Sequence, residues 1–155
     1  MVQTPAKPLT LNEFLDLPET EPASEYIDGR IIQKPMPQGE HSAIHTELAP
    51  AINLVVKPKQ IARVFCELRC SFGNRLIVPD ISVFMWDRIP RKENGGVANV
   101  FSIAPDWTIE ILSPDQSQTK VIPLLSLSGR AIARSLMRKS IQTILLEKNW
   151  SCICY

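Results

Sequence analysis

The sequence predicts an α/β domain, and three observations carry that prediction. Two stretches repeat apolar residues at three- and four-residue steps, one around Leu11, Phe14, Leu15 and Leu17 and one through Ile44, Leu48, Ile52 and Val55. Two dipeptides suited to tight turns, Asp28-Gly29 and Gly73-Asn74, sit between β-prone runs. Two further runs, Val78-Pro79-Asp80-Ile81-Ser82-Val83-Phe84 and Trp107-Thr108-Ile109-Glu110-Ile111-Leu112, have the β-branched and aromatic content of buried strands. The length of 155 residues suits one domain with a real core, and 45% hydrophobic content agrees with a globular chain.

Residues 1–8 hold two prolines and no periodicity, so they read as a flexible N-terminal tail. Thr10 and Glu13 then form a Thr-x-x-Glu capping box that starts a short helix ending near Pro18. Ser24-Glu25-Tyr26-Ile27 and Ile31-Ile32-Gln33 flank Asp28-Gly29 as a hairpin, which sets Glu25 at the start of its first strand. Pro35-Met36-Pro37-Gln38-Gly39 breaks the chain. A helix follows from His41, kinked or delayed at Pro50 and ended before Pro58, with His45 one turn after His41. Arg63 to Arg69 reads as one strand, turning at Gly73-Asn74 into Leu76-Ile77-Val78, so that Glu67 lies beside the strand of Asp80. Trp86 to Gly96 is a polar, basic loop, and Ala104-Pro105-Asp106 returns the chain to the sheet.

Charge and cysteine content narrow the function classes only a little. The net charge of +1 hides any local basic cleft, so it neither favours nor excludes a nucleic-acid partner. Cys66 and Cys70, and Cys152 and Cys154, form two distant pairs whose spacing does not match the repeated pairs of a zinc site. His41-x3-His45 lacks the following glutamate of a zincin. The N-terminus reads as polar and Pro-rich rather than as a signal peptide, and no apolar run is long enough to span a bilayer, so the expected location is cytoplasmic.

The anomaly is the pair of acids. Asp80 and Glu110 occupy positions in apolar runs where an ionised carboxylate carries a large desolvation cost unless something compensates it. A divalent cation with oxygen ligands is one adequate partner for two such acids on neighbouring strands. Two simpler accounts stand beside it: Asp80 follows Pro79 at a strand entrance, and Glu110 pairs with an arginine.

Pro79-Asp80 and, some thirty residues on, Glu110-Ile111-Leu112-Ser113-Pro114 resemble the motifs of the PD-(D/E)XK nuclease superfamily, and within it the Uma family of restriction endonucleases. Glu25-Tyr26-Ile27-Asp28-Gly29-Arg30-Ile31, His41 before a helix, Val64 to Arg69, Trp86 to Pro90 and Ala104-Pro105-Asp106 fall in the family's order, over residues 9–121. The resemblance implies a restriction-endonuclease-like mixed β-sheet flanked by helices, with residues 9–121 as the nuclease-like core. It implies Mg²⁺ (or Mn²⁺) held by Asp80 and Glu110, metal-dependent hydrolysis of DNA phosphodiester bonds, and a homodimer as an assembly open to the chain. Glu25 would be an accessory acid, although the residues alone equally allow a solvated strand-end charge. His41 would be an active-site contact, although it also reads as a partly exposed histidine. Arg88, Arg91 and Lys92, on the loop after the Asp80 strand, are candidates for contacts to the phosphate backbone, although a charge cluster of this kind is commonly just solvated.

Two departures weaken the match. The superfamily places a lysine two residues after the second acid, where this chain has Leu112; in the Uma branch it shifts to the following helix, and Lys120 is the nearest substitute here. After Val121 the pattern is atypical. Residues 122–155 read as a basic segment whose Ile132, Leu136, Met137, Ile141, Ile144 and Leu145 can line a helix, and a frameshift or deletion there would leave the sheet without an edge strand. A catalytically inactive relative that binds nucleic acid, and a small interaction protein using the basic C-terminal helix, are the competing functions.

Overall fold

The computed structural model describes residues 9–111 and the short strand 152–154. Helix α1 (Leu11–Leu15) opens on the expected capping box: Thr10 Oγ1 accepts the Glu13 N–H at 3.2 Å, and a Glu13 carboxylate oxygen takes the Thr10 N–H at 2.7 Å. Strands β1 (Ser24–Ile27) and β2 (Arg30–Gln33) form the first hairpin. Asp28 and Gly29 both take positive φ, 50° and 81°, as a two-residue turn matched to strand twist requires.

Helix α2 (Gly39–Val56) runs through Pro50 and stops before Pro58. Beyond it come β3 (Ala62–Cys66), β4 (Cys70–Phe72), β5 (Arg75–Ile77), β6 (Ile81–Met85), β7 (Trp107–Ile111) and β8 (Cys152–Cys154). They are shared between two four-stranded sheets, ordered β2-β1-β5-β4 and β3-β6-β7-β8, and every strand pairing is antiparallel. The α/β class expected from the sequence is the class observed, but among the described residues the expected mixed sheet is instead two sheets whose strands all pair antiparallel.

One expected element is divided. The run from Arg63 to Arg69 is not a single strand paired through Gly73-Asn74, because Glu67 takes φ 48° and ends β3. The Gly73-Asn74 turn joins β4 to β5 in the first sheet, whereas β3 pairs with β6 in the second. Val78-Pro79-Asp80 carries the chain from one sheet to the other; Pro79 has no N–H to give a ladder, so pairing lapses there. Glu67 does lie beside Asp80, through its backbone N–H, which donates to the Asp80 carbonyl at 3.1 Å.

The layers follow from strand alternation. Ala62 and Val64, Ile81 and Val83, and Trp107, Ile109 and Ile111 face α2 and pack on Ile44, Leu48, Ala49, Ile52 and Val56. Phe84 points the other way, into a cluster with Phe101, Ile27 and Ile77 that joins the two sheets. Phe14 of α1 closes the outer face of the first sheet against Tyr26 and Leu76. The edge of the second sheet is not bare: β8 pairs with β7 in the register Ile109↔Cys154, Glu110↔Ile153, Ile111↔Cys152. That corrects the expectation that the atypical C-terminal segment leaves the sheet without an edge strand. The helix expected within 132–145 lies outside the described residues. No helix among the described residues is long and apolar enough to cross a membrane.

Candidate functional site

The crossover Val78-Pro79-Asp80 is where the site is built. In the β6–β7 register Ile81 pairs with Ile109, so the next step places Asp80 opposite Glu110. Residues opposed in an antiparallel pair project to the same side, which is how two acids 30 positions apart come together. Asp80 is 5% exposed and its carboxylate is fully engaged. Oδ1 accepts the Lys34 ammonium at 2.6 Å, and Oδ2 accepts the Ile111 N–H at 2.8 Å and His41 Nε2 at 3.0 Å. His45, one turn along α2, hydrogen-bonds the Asp80 carbonyl through Nε2 at 2.9 Å. The N-terminal half of α2 thus clamps the crossover from one side.

Lys34 is the residue that sequence reasoning missed. Its Nζ donates to Asp80 Oδ1, to the Val78 carbonyl at 2.9 Å and to Glu110 Oε2 at 3.3 Å. A signal for it was present. The two-residue Asp28-Gly29 turn fixes Glu25 opposite Ile32, so Lys34, two residues beyond Ile32, falls on the Glu25 side of the hairpin. Glu25 itself accepts the Val78 N–H at 2.8 Å through Oε1. Both polar groups of the Val78 backbone are therefore held by the hairpin, which locks the crossover to the first sheet.

Three carboxylates and one ammonium share this partly buried space, and their ionisation reflects the imbalance. Burial raises the Glu25 carboxyl above its ordinary range, with Asp80 adding to the rise while the Val78 N–H and Lys34 oppose it. Burial likewise pushes Glu110 up to about 8, with Asp80 and Glu25 adding to the effect and Lys34 opposing it. Asp80 goes the other way: burial disfavours its charge, but Lys34, the Ile111 N–H and His41 outweigh burial and hold it below the usual carboxylate range. Lys34 is held above the ordinary lysine range, since Glu110 and Asp80 overcome the effect of burial. The site is short of positive charge, with three acids facing one ammonium, and burial, with Asp80 and Glu25 adding to it, disfavours the anionic form of Glu110.

That shortage is the test of fit for a divalent cation. Among the described residues no three His, Cys, Asp or Glu side chains are grouped closely enough to enclose a metal ion by themselves. Mg²⁺, however, is held in phosphate-transferring sites by one or two carboxylates completed with water and substrate oxygens. Asp80 and Glu110 meet that requirement, and the Lys34 ammonium already bridges them as a stand-in cation. The simpler account of Asp80 as a residue at a strand entrance is geometrically right and incomplete. Glu110 pairs with a basic residue, but with Lys34 rather than an arginine.

The remaining candidates are placed as follows. His41 sits on Asp80, and its Nδ1 is buried with no hydrogen-bond partner. Arg88 donates from Nη2 to the Ala104 carbonyl at 3.1 Å and pairs through Nη1 with the buried Asp106. Arg91 lies over the Trp86 ring at 5.2 Å and donates to the Gly95 carbonyl. The Lys92 N–H closes the same loop on Gly96. Lys120, the candidate for the displaced catalytic lysine, lies outside the described residues, as does Leu112.

Comparison with known proteins follows the same line. A search of curated proteins finds no match. Among solved structures, the chain is similar to a crystal structure titled as a putative nuclease belonging to DUF820 from Anabaena variabilis, with 74% identity and a TM-score of 0.69. That similarity covers 73% of this chain and 63% of the other, so this chain spans under two thirds of its neighbour's length. The family model Uma2, described as "Putative restriction endonuclease", matches residues 11–124, and the chain belongs to that family.

Proposed function

We propose that the protein is a metal-dependent endonuclease that hydrolyses DNA phosphodiester bonds, with Asp80 and Glu110 as the ligands of Mg²⁺ or Mn²⁺. The observation that carries this reading is the pair itself: two largely buried carboxylates at opposed register positions, drawn to one shared cation. Family membership supports the nuclease class, and the named nuclease among its structural neighbours agrees with it.

A divalent ion bound there supplies Lewis-acid polarisation of a phosphoryl oxygen and lowers the pKa of an attacking water. The chain's own residues do the rest. Ile111 N–H and His41 Nε2 fix the orientation of the Asp80 carboxylate through Oδ2, which leaves Oδ1 to the Lys34 ammonium. Glu110, in its ionised form, would be the other oxygen donor to the ion. Glu25 restrains the Val78 backbone and stands by as an accessory acid. Arg91 and Lys92, on the exposed loop, are suited to steer the phosphate backbone, and such contacts set register rather than sequence preference.

Leu112 favours one competing reading, a catalytically inactive relative that binds DNA without cutting it. Plasmid cleavage titrated with Mg²⁺ and Mn²⁺, beside Asp80→Asn and Glu110→Gln, separates the two. Nicking or linearisation that requires metal and disappears in both variants is the expected result. Salt-dependent binding with no cleavage at any metal concentration would establish the inactive relative instead.

A further inference from the structure

We propose that Lys34 is a resident cation of this site, holding Asp80 and Glu110 together before metal enters and then turning an N–H to a phosphoryl oxygen of the bound DNA. The proposal rests on the nuclease reading for its second half only. An ammonium has three N–H donors, and Lys34 uses all three, on Val78 O, Asp80 Oδ1 and Glu110 Oε2. A saturated ammonium has no donor left for substrate. The three bonds are unequal: 2.6 Å and 2.9 Å to Asp80 and Val78, but 3.3 Å to Glu110. When a divalent cation takes Glu110, the longest bond is released while the other two keep the Nζ in place. The N–H now spent on Glu110 would then be the one available to a phosphoryl oxygen of the substrate.

The role is one of positioning and charge, with no proton or bond transferred. It gives the chain a lysine at the acid pair although Leu112 stands where a nearby lysine is expected after the second acid. It also explains why a lysine with a partly buried stem emerges from a hairpin end that is otherwise exposed: the β2 strand before it is exposed at all four residues, yet the Lys34 side chain is only 20% exposed. Lys34 N–H donates to the carbonyl of Ala23, the residue just before β1, at 3.0 Å, so the backbone carrying it is anchored rather than swinging free.

The test uses the 155-residue chain, with Mn²⁺ as the probe for binding and plasmid DNA for cleavage. Lys34→Met removes the competing charge while keeping most of the side-chain length. It is expected to bind Mn²⁺ more tightly than the unaltered protein, because a like charge beside the two ligands is gone, and to cut DNA at least about 100-fold more slowly at saturating metal. Lys59→Ala, at an exposed lysine in the turn after α2, is run in parallel and is expected to leave Mn²⁺ affinity unchanged. Unchanged or weaker Mn²⁺ binding by Lys34→Met overturns the resident-cation role. Should that variant fail to fold, the unaltered protein supplies the answer: the ¹⁵Nζ signal of Lys34 is expected to be protected from solvent exchange without metal and to lose protection as Mg²⁺ is added, and a signal indifferent to saturating Mg²⁺ overturns the proposal. If Mn²⁺ and Mg²⁺ behave as expected but the unaltered protein never cuts DNA, the nuclease reading and the substrate half of the proposal fail, and the cation exchange stands.

Discussion

Asp80 and Ile111 are joined by a 2.8 Å hydrogen bond from the Ile111 N–H to Asp80 Oδ2, so the first acid of the site also closes the end of the β6–β7 ladder. Its carboxylate is at once a prospective metal ligand and a structural acceptor for a buried N–H. Removing it therefore does more than delete a ligand. Asp80→Ala leaves Lys34 charged beside an empty space and Ile111 N–H unpaired, and such a loss costs about 3–5 kcal/mol. Asp80→Asn keeps an oxygen acceptor and is expected to melt closer to the unaltered protein, while both variants lose metal-dependent cleavage. Chemical denaturation of the two beside cleavage assays checks this; an Asp80→Ala protein as stable as the original would mean that the ladder end does not need the carboxylate.

Glu110 sets a pH dependence whose sign is opposite to that of an ordinary salt-bridged acid. Its value rises from 4.5 to about 8 in the folded chain, chiefly through burial. Between those values the folded state holds a proton that the unfolded state has released, so this group's contribution is complete below about 4.5 and is lost as pH rises through about 8. Asp80 is lowered, and its contribution is present above 3.8 and lost as pH falls through its folded value. In the metal-free protein, denaturation midpoints are expected to decline from mildly acid to mildly alkaline pH, and Glu110→Gln to flatten that decline. Because metal needs the ionised carboxylate, Mg²⁺ affinity is expected to climb over the same interval and level off above it. Calorimetric titration at several pH values, with proton release measured from buffers of different ionisation enthalpy, provides the check.

Most of the positions that matter were legible in the sequence because local chemistry and tertiary structure agree there. Thr10 with Glu13, Asp28 with Gly29, and the apolar face of α2 each declare their element without reference to anything distant. The Asp80 and Glu110 pairing was readable for a different reason: a charge in a strand that is otherwise apolar demands a partner. The division of the Arg63–Arg69 run was not readable, since the flanking Val64, Phe65 and Leu68 look continuous, and the positive φ of Glu67 falls where the chain passes from the second sheet to the first. Lys34 was overlooked because a lysine before a proline at a hairpin exit looks like solvated surface. Its contacts lie 44 to 76 residues away, and only the register of a hairpin combined with the crossover brings them together. Arg88 shows the converse, a basic loop residue that looked available for DNA and is bound to Asp106 and Ala104.

The three basic loop residues are consequently expected to separate by assay. Arg88→Ala strips partners from the buried Asp106 carboxylate and the Ala104 carbonyl, so it is expected to lower stability by about 1–3 kcal/mol. Arg91→Ala and Lys92→Ala are exposed changes, expected to leave the melting transition nearly intact and to reduce the slope of log affinity for DNA against log salt by about 1 each. Fluorescence anisotropy with a short duplex over a range of salt reads the slopes. Equal slopes for all variants would remove this loop from the phosphate contacts.

Glu25 allows its two roles to be separated with two substitutions. Its Oε1 accepts the Val78 N–H at 2.8 Å, and that N–H belongs to the segment linking the sheets. Glu25→Gln retains an acceptor oxygen but removes the charge, whereas Glu25→Ala removes both and leaves the N–H unpaired, which costs about 1–3 kcal/mol. If Glu25 only ties down the crossover, Glu25→Gln behaves like the unaltered protein in every respect. If it also serves the cation as an accessory acid, Glu25→Gln keeps its stability but binds Mn²⁺ about tenfold more weakly. The second outcome is expected, because Glu25 lies close enough to Asp80 and Lys34 to affect both ionisation and charge balance in the metal-free site. Loss of stability in Glu25→Gln as large as in Glu25→Ala would show instead that the crossover depends on the charge of this side chain, and that its tie to Val78 cannot be separated from its electrostatics.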